Sequence, residues 1–265
     1  MITPIIVNYN RPDPDTLKLF PNAIVCTECD YEVPNKLVYP VETEGSGLPA
    51  KLNWLVRKFP DQWVLIMDDD FKEVFEIITV NREIKSGPRK GSIGDIREKH
   101  SIMGDRFIEL CEKAIKDNPN AWGFADNIYA YAGTSKTEYS NATTILQARL
   151  LNTGILLKND LNYPKEKISQ EDNIIVMEAY LKGLPKPVRI NNITHLVADP
   201  CAKKINKNSQ TVIHLDHDLT KDYIISHYGE KYLFYTDGAQ YPWSIDVAKW
   251  FADNKPKPKV GFSFG

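Results

Sequence analysis

Three consecutive acids, Asp68, Asp69 and Asp70, follow a continuous apolar run from Trp63 to Met67. Such a run is typical of a strand buried on both faces of a parallel sheet, so the acids lie at its carboxyl end, where open α/β sheets bind ligands. Alternate side chains of an extended segment point the same way, so Asp68 and Asp70 converge while Asp69 points elsewhere. Two converged carboxylates repel each other unless a cation lies between them. We therefore predict that Asp68 and Asp70 bind Mn²⁺ or Mg²⁺, which prefer oxygen ligands.

The structural alternative is that Asp70 caps a helix beginning at Phe71 while the other two acids are solvated. Capping needs one acid and not three, so the sequence favours the metal. A third ligand would come from a histidine, since imidazole suits Mn²⁺. His195 ends a predicted strand, and His214 and His217 follow it. For any single histidine, an ordinary hydrogen-bonded role remains the alternative.

Polar residues upstream are suited to a nucleotide. Lys51 and Asn53 lie on a predicted helix that leads to the acidic strand, and Arg11 follows the first strand. A cation and an amide at this place are suited to hold a diphosphate or a nucleoside. From these residues alone, it is an equally good interpretation that Lys51 is an ordinary exposed lysine and Asn53 an ordinary buried polar residue, with no ligand to bind.

A second acidic pair, Glu171 and Asp172, opens a later helix. Ser169 stands three residues before Asp172, which resembles a capping box, although Asp is a poorer reciprocal partner than Glu or Gln. The functional interpretation is that Glu171 or Asp172 faces the crevice as a general base or binds the acceptor hydroxyl. Spacing alone does not decide between the two.

These residues need a scaffold of alternating strands and helices, which the chain predicts. The predicted strands are 5–8, 23–26, 63–67, 121–131, 151–157 and 188–196; the predicted helices are 48–59, one ending near 116, and 172–182; residues 86–104 are predicted to be a long loop. The implied fold class is α/β, with a mainly parallel sheet flanked by helices and a smaller mixed C-terminal section. We expect one domain over residues 1–200 and a C-terminal extension over 201–265 on the acceptor side.

Composition limits the protein class. The chain has 265 residues, 42% hydrophobic and 26% charged, which excludes a disordered or collagenous protein. A formal charge of −2 provides no general basic field for a polyanion. Four cysteines in a chain of this length are not a disulfide framework, and no apolar run approaches about 18 residues. We expect a soluble cytoplasmic protein without a membrane segment.

Taken together, the motifs resemble the nucleotide-sugar glycosyltransferases of the GT-A fold, whose hallmark is an Asp-x-Asp at the end of a central strand. Five segments match in order: 7–12 as the opening strand, 51–53 as the Lys/Arg-Asn helix, 64–70 as the metal strand, 151–155 as the acceptor-side strand, and 171–183 as the Glu-Asp helix that ends in glycine. They span about residues 5 to 200.

The resemblance implies roles for these positions. Asp68 and Asp70, with His195 as the favoured third ligand, would bind the metal that bridges the donor diphosphate. Asp69 would touch the ribose or sugar, and Tyr9, Arg11, Lys51 and Asn53 would belong to the donor site. Asp172 would be the base in an inverting enzyme, with Glu171 beside it; retaining members lack such a base.

Within that fold, the chain also resembles the TET-associated glycosyltransferases, a phage-linked group thought to decorate hydroxymethylated bases in DNA. The small size, Asp-Asp-Asp-Phe and the Glu-Asp helix carry this similarity, and the basic segment 82–106 and the Lys-Pro tail could contact phosphates. The expected activity is therefore a metal-dependent hexosyl or pentosyl transfer to a hydroxyl, with DNA as the first acceptor considered. The alternatives are a glycan or lipid-linked acceptor, a sugar-1-phosphate nucleotidyltransferase, or a non-catalytic carbohydrate- or nucleic-acid-binding module.

Overall fold

The computed structural model describes residues 1–8, 11–40, 47–85, 87–88, 90–127, 132, 134–166, 168, 170–197, 217–236 and 243–254. Tyr9, Ser169, His214 and the Lys-Pro tail from Lys255, all singled out in the sequence, lie outside these residues.

Strands and helices alternate along the first two thirds of the chain. The strands are β1 (Ile2–Val7), β2 (Ile24–Thr27), β3 (Lys36–Val38), β4 (Trp63–Asp68), β5 (Phe71–Glu83), β6 (Ile93–Ile102), β7 (Gly123–Asn127), β8 (Tyr139–Asn141), β9 (Ala148–Asn152), β10 (Val188–Val197), β11 (Leu233–Tyr235) and β12 (Trp243–Ile245). The helices are α1 (Asp15–Leu19), α2 (Leu48–Lys58), α3 (Gly104–Asp117), α4 (Thr153–Lys158), α5 (Glu171–Leu181), α6 (His217–Tyr228) and α7 (Val247–Asp253), with a 3₁₀ turn at Glu230–Tyr232.

The first ten strands form one sheet in the order β3-β2-β1-β4-β9-β7-β10-β5-β6, with β8 paired to β10. Strands β3, β2, β1 and β4 are parallel neighbours, and β7 is parallel to β10. Strand β9 lies antiparallel between β4 and β7, and β5 and β6 form an antiparallel hairpin. The predicted fold class, α/β with a mainly parallel sheet flanked by helices, is confirmed.

The central strands are apolar at consecutive positions because both faces of the sheet are covered. On β4, Val64 and Ile66 face the core that contains Leu52 of α2, while Leu65 and Met67 face the core that contains Phe107 of α3. The alternation follows the two-residue period of a strand. Because helices cover both faces of the sheet, the ends of its strands are its accessible part, and polar residues lie there.

Two local predictions were wrong, and the structural alternative for Asp70 is excluded as well. Residues 86–104 contain β6 rather than a long loop, and this exposed edge strand carries too few apolar residues to show an alternating pattern. The segment 151–157 is divided between the end of β9 and helix α4, because the side chain of Asn152 accepts a hydrogen bond from the backbone N–H of Ile155 and starts the helix. Phe71 begins strand β5 and not a helix, so Asp70 does not cap a helix there.

The C-terminal section is mixed, as predicted, and packs on α5. The Tyr228 hydroxyl donates to Glu178 Oε1 at 2.7 Å, and Tyr180 makes edge-to-face contacts with Trp250 and Phe251. The domain boundary at residue 200 remains a prediction. Within the described ranges, no helix is long and apolar enough to cross a bilayer.

Candidate active site

Side chains from separate elements meet at the edge of the sheet where β4 and β10 end. Asp68 is the last residue of β4, and Arg149 lies near the start of the antiparallel neighbour β9, opposite Ile66. His195 lies near the end of β10. The sheet order therefore brings chemically active residues from distant parts of the chain to one place, the edge that binds ligands in open α/β sheets.

The acidic turn that joins β4 to β5 is held by Thr16 of α1. The fully buried Thr16 hydroxyl donates to the backbone oxygen of Asp68 at 2.6 Å and accepts from the backbone N–H of Phe71 at 2.9 Å. One side chain thus forms hydrogen bonds with the backbone on both sides of the turn that contains Asp69 and Asp70. A structural residue fixes the conformation of the acids.

Arg11 contacts this turn from the segment after β1. Its Nε atom lies 3.3 Å from Oδ1 of the buried Asp69. The Asn8 side chain positions Arg11, because Nδ2 donates to the Arg11 carbonyl at 2.8 Å and Oδ1 accepts from the Arg11 N–H at 2.9 Å. Arg11 and Asp69, both predicted donor-site residues, are therefore paired with each other.

The pKa of Asp70 is shifted by burial and by the charged side chains near it. Burial and then the charge of Asp68 raise the pKa of Asp70, while the charges of Arg11 and His195 act in the opposite direction. The charges of both Asp68 and His195 therefore act on Asp70. A cation bound here would relieve the repulsion between the two carboxylates.

The buried Arg149 guanidinium joins this acidic turn to the second acidic pair. Nη1 lies 3.1 Å from Asp68 Oδ1, Nε lies 2.9 Å from Asp172 Oδ1, and Nη2 lies 3.3 Å from Asp172 Oδ2. Glu171 Oε1 is 4.0 Å from Nη2. Asp68, one of the predicted metal ligands, and Asp172, the predicted base, thus share one cation, and Asp172 accepts two hydrogen bonds from the planar guanidinium group.

The two acids of the pair are electrostatically different. Burial, together with the negative charge of Asp172, raises the pKa of Glu171 to about 8. Burial also raises the pKa of Asp172, but the Arg149 fork opposes that rise. The Asp172 carboxylate forms an ion pair with Arg149, and Gln170, the N-cap residue of α5, makes no side-chain capping bond.

His195 is held on both sides of its ring. Nδ1 hydrogen-bonds the Asp126 carboxylate, Nε2 lies 2.8 Å from Gln147 Oε1, and the ring stacks on Phe71 at 4.0 Å. Burial disfavours the charged ring, but Asp126 outweighs it and raises the pKa of His195. A carboxylate on Nδ1 is the usual orienting partner of a metal-binding histidine.

The carboxylate oxygens of Asp68 and the Nε2 atom of His195 could coordinate a divalent cation, but each residue also contacts another protein side chain. Asp68 accepts from Arg149, and His195 Nε2 contacts Gln147. In the part of the chain that the structure describes, no three side chains of the metal-binding types are grouped closely enough to hold an ion. Carboxylate oxygens and an imidazole nitrogen fit Mn²⁺ or Mg²⁺ chemically. Binding by all three would require the Arg149 and Gln147 contacts to be exchanged.

Two residues that the sequence predicted to bind the nucleotide, Lys51 and Asn53, contact other parts of the protein. Lys51 is buried, with Nζ 3.1 Å from Glu28 Oε1 and 5.2 Å from the centre of the Tyr39 ring. Asn53 donates from Nδ2 to the Tyr163 carbonyl at 3.0 Å, and its Oδ1 accepts from the Tyr163 N–H at 2.7 Å. Asn53 thus positions a distant segment of backbone, whereas Lys51 remains a predicted donor-site cation beyond the end of β2.

Sequence reasoning missed the residues that organise the site: Thr16, Asp126, Gln147, Arg149 and Tyr163. One signal was present, since Arg149 is a charged residue inside the apolar run Ala148 to Leu151. A charge within a buried strand needs a partner of opposite sign. The other four have ordinary sequence surroundings.

No protein-family model and no curated protein matches this chain. Solved structures of Staphylococcus aureus TarS are similar to it. TarS 1–349 in complex with UDP-GlcNAc is 15% identical with a TM-score of 0.47, over 73% of this chain and 57% of that chain. TarS 1–349 in complex with UDP is 14% identical with a TM-score of 0.48, over 86% and 71% respectively. Against the longer TarS structure, the similarity spans 39% of that chain. Similarity at this level carries no functional conclusion.

Proposed function

We propose that this protein is a metal-dependent glycosyltransferase that moves a sugar from a nucleoside-diphosphate sugar to an acceptor hydroxyl. The observation that carries the proposal is the link from Asp68 through Arg149 to Asp172. It unites, at one sheet edge, an acidic turn suited to a cation and a diphosphate with a second acidic pair suited to proton transfer. An inverting transfer from a diphosphate to a hydroxyl uses both.

Asp68 and Asp70, with His195, would hold Mn²⁺ or Mg²⁺ in this proposal. When bound there, the cation would supply Lewis-acid stabilisation of the negative charge that develops on the departing nucleoside diphosphate. Arg11 would lie beside the donor, since it contacts Asp69 on the same turn. Lys51 would add positive charge beyond the neighbouring strand β2.

Asp172 is the proposed base that removes the proton from the acceptor hydroxyl. The Arg149 fork stabilises its ionised form, whereas Glu171, with a pKa raised to about 8, holds a proton at neutral pH. Neighbouring acids whose environments differ are suited to different roles. Asp172 accepts the proton, and protonated Glu171 can donate a hydrogen bond to a sugar hydroxyl.

The acceptor is the less constrained part of the proposal, and our first candidate is a hydroxymethylated base in DNA. The basic segment 82–106 runs from the end of β5 through β6 to the start of α3, but Arg82 pairs with Glu98 and Arg106 pairs with Glu76 and Glu109. Because this pairing reduces the charge available for phosphates, a glycan or lipid-linked sugar is kept as the second acceptor class.

Ligand-dependent thermal stability tests the donor assignment. The purified protein is melted with UDP-glucose, UDP-GlcNAc, GDP-mannose, dTDP-glucose and their parent nucleoside diphosphates, with Mn²⁺ present and with it chelated. A ligand that binds only the folded protein raises the melting temperature. We expect one nucleotide family to do so only with the metal.

Absence of a shift with every nucleotide would overturn the proposal and favour a non-catalytic binding module. With a donor in hand, incubation with hydroxymethylated DNA, with unmodified DNA and with a glycan acceptor separates the acceptor classes by the mass of the product. Release of pyrophosphate from a sugar 1-phosphate and a nucleoside triphosphate would instead identify a nucleotidyltransferase.

A further inference from the structure

Tyr163 has a hydroxyl without a hydrogen-bond partner in the described structure. The residue is 1% exposed, and its ring lies in the core on the α2 side of the sheet. Its hydroxyl oxygen is buried and makes no hydrogen bond. Most buried polar groups in folded proteins are paired, because an unpaired one loses its hydration without compensation. A phenylalanine would fill the same space without that cost.

The fold uses two buried hydrogen bonds to hold this tyrosine. Both ends of the Asn53 amide bind the Tyr163 backbone, at 3.0 Å and 2.7 Å, across 110 residues of sequence. Helix α2 therefore fixes the segment from which the ring extends. The unpaired hydroxyl is then a feature of a well-anchored residue rather than of a loosely held one.

Tyr163 lies close enough to the candidate site for the charged side chains there to act on its hydroxyl. The charges of Arg149, Asp172 and Glu171 all act on its pKa, which burial raises. Glu171 and Asp172 keep 15% and 11% of their side-chain surface exposed, so solvent reaches this cluster at its carboxylates. Arg149 joins the donor side at Asp68 to the base at Asp172, and the group being transferred must lie between those two sides.

We propose that the Tyr163 hydroxyl donates a hydrogen bond to a hydroxyl of the sugar being transferred. This inference rests on the proposed function and assigns the sugar-binding part of the same site. Tyr163 is a binding residue that selects a hydroxylated ring, and the nucleoside diphosphate does not contact it. The hydroxyl is left unpaired by the protein because the substrate pairs it.

The variant Tyr163→Phe tests the assignment in two measurements. In the first, its stability to urea is compared with that of the wild type and of Tyr232→Phe, a control at another buried tyrosine, whose hydroxyl donates to Asp253 at 3.1 Å. We expect Tyr163→Phe to be as stable as the wild type or more stable, and Tyr232→Phe to be less stable.

In the second measurement, calorimetry gives the Kd of the nucleotide sugar that stabilises the wild type and of its parent nucleoside diphosphate. We expect Tyr163→Phe to bind the nucleotide sugar about tenfold more weakly and the nucleoside diphosphate unchanged.

Three results would overturn the inference, and they can be told apart. If no nucleotide sugar or nucleoside diphosphate of the panel stabilises or binds the wild type, the proposed function fails and the sugar assignment fails with it. If the wild type binds both and Tyr163→Phe binds both equally, only the Tyr163 assignment fails. If Tyr163→Phe loses as much stability as Tyr232→Phe, the hydroxyl has a partner within the fold, such as a buried water, and is not reserved for a sugar.

Discussion

Arg149 lies across the Asp172 carboxylate, with Nε 2.9 Å from Oδ1 and Nη2 3.3 Å from Oδ2. The guanidinium is buried, and its remaining arm reaches Asp68 at 3.1 Å. A buried arginine with two acidic partners on different elements fixes their separation, because its five donors have a rigid geometry. The distance between the donor turn and the proposed base is therefore set by this side chain.

Replacing Arg149 should destabilise the protein strongly. Arg149→Gln leaves Asp68 and Asp172 without their shared cation, so we expect a loss of about 3–5 kcal/mol in the free energy of unfolding. Urea denaturation measures it. The matched control is Arg57→Gln, whose exposed side chain donates to Asn162 at 2.7 Å and which should change stability by no more than about 0.5 kcal/mol. Equal effects of the two variants would contradict a central role for Arg149.

Much of this site followed from sequence because its acids stand beside strong structural signals. Asp68 to Asp70 follow an apolar run that is typical of a buried strand, and Glu171 and Asp172 open a predicted helix. Arg149 was missed because its partners lie on β4 and α5, and one sequence does not display pairing between elements. Asn53 had a polar role that sequence could not assign, since its partner, Tyr163, lies 110 residues away.

The edge strand β6, in contrast, could not be predicted from its own sequence. Its residues are mostly half-buried or exposed, so no two-residue alternation of apolar side chains distinguishes it from a loop. Its strand conformation comes from ten register pairs with β5. Tertiary pairing overrides a weak local pattern in this segment.

Glu171 should make the stability depend on pH. The folded protein keeps the Glu171 proton up to about pH 8, whereas the unfolded chain loses it near the ordinary value of 4.5. The folded state binds more protons between these values, so the free energy of unfolding falls as the pH rises through this window. Asp70 and Asp172, whose pKa values are also raised, act in the same direction.

Glu171→Gln isolates the contribution of one carboxyl. Urea denaturation from about pH 5 to about pH 8 should give a shallower decline for this variant than for the wild type, by at most about 1.4 kcal/mol per pH unit. Glu83→Gln, at an exposed position at the end of β5, is the control and should keep the wild-type slope. Parallel profiles for wild type and Glu171→Gln would show that Glu171 is ionised in the folded protein.

Asp70→Ala should abolish metal-dependent donor binding and turnover together, because it removes a proposed ligand that makes no described ion pair. We expect Mn²⁺ to raise the melting temperature of the wild type with its nucleotide and to leave the variant unchanged. Asp13→Ala is the control, since Asp13 is exposed and pairs only with Lys18 in the described structure. Full activity in Asp70→Ala would remove this residue from the metal site.

Asp172→Asn should lower kcat by about 10²–10⁴-fold while the Kd of the nucleotide sugar stays within about twofold, since a general base acts in the transition state and not in donor binding. Calorimetry and initial rates separate the two quantities. Glu171→Gln provides the comparison, because it removes an acid from the same turn without removing the proposed base. A normal turnover number in Asp172→Asn would leave the residue as the structural partner of Arg149.

Replacing Thr16 tests whether the turn between β4 and β5 needs the hydrogen bonds of the Thr16 hydroxyl. Thr16→Val keeps the shape of the side chain but leaves the Asp68 carbonyl and the Phe71 N–H unpaired, so we expect a loss of about 1–3 kcal/mol in the free energy of unfolding. Nucleotide binding should weaken as well, because the same two hydrogen bonds shape the turn that carries Asp70. Thr16→Ser retains the hydroxyl and should restore binding even though it loses a buried methyl group. If serine and valine weaken binding equally, packing of α1 rather than the hydroxyl positions the acids.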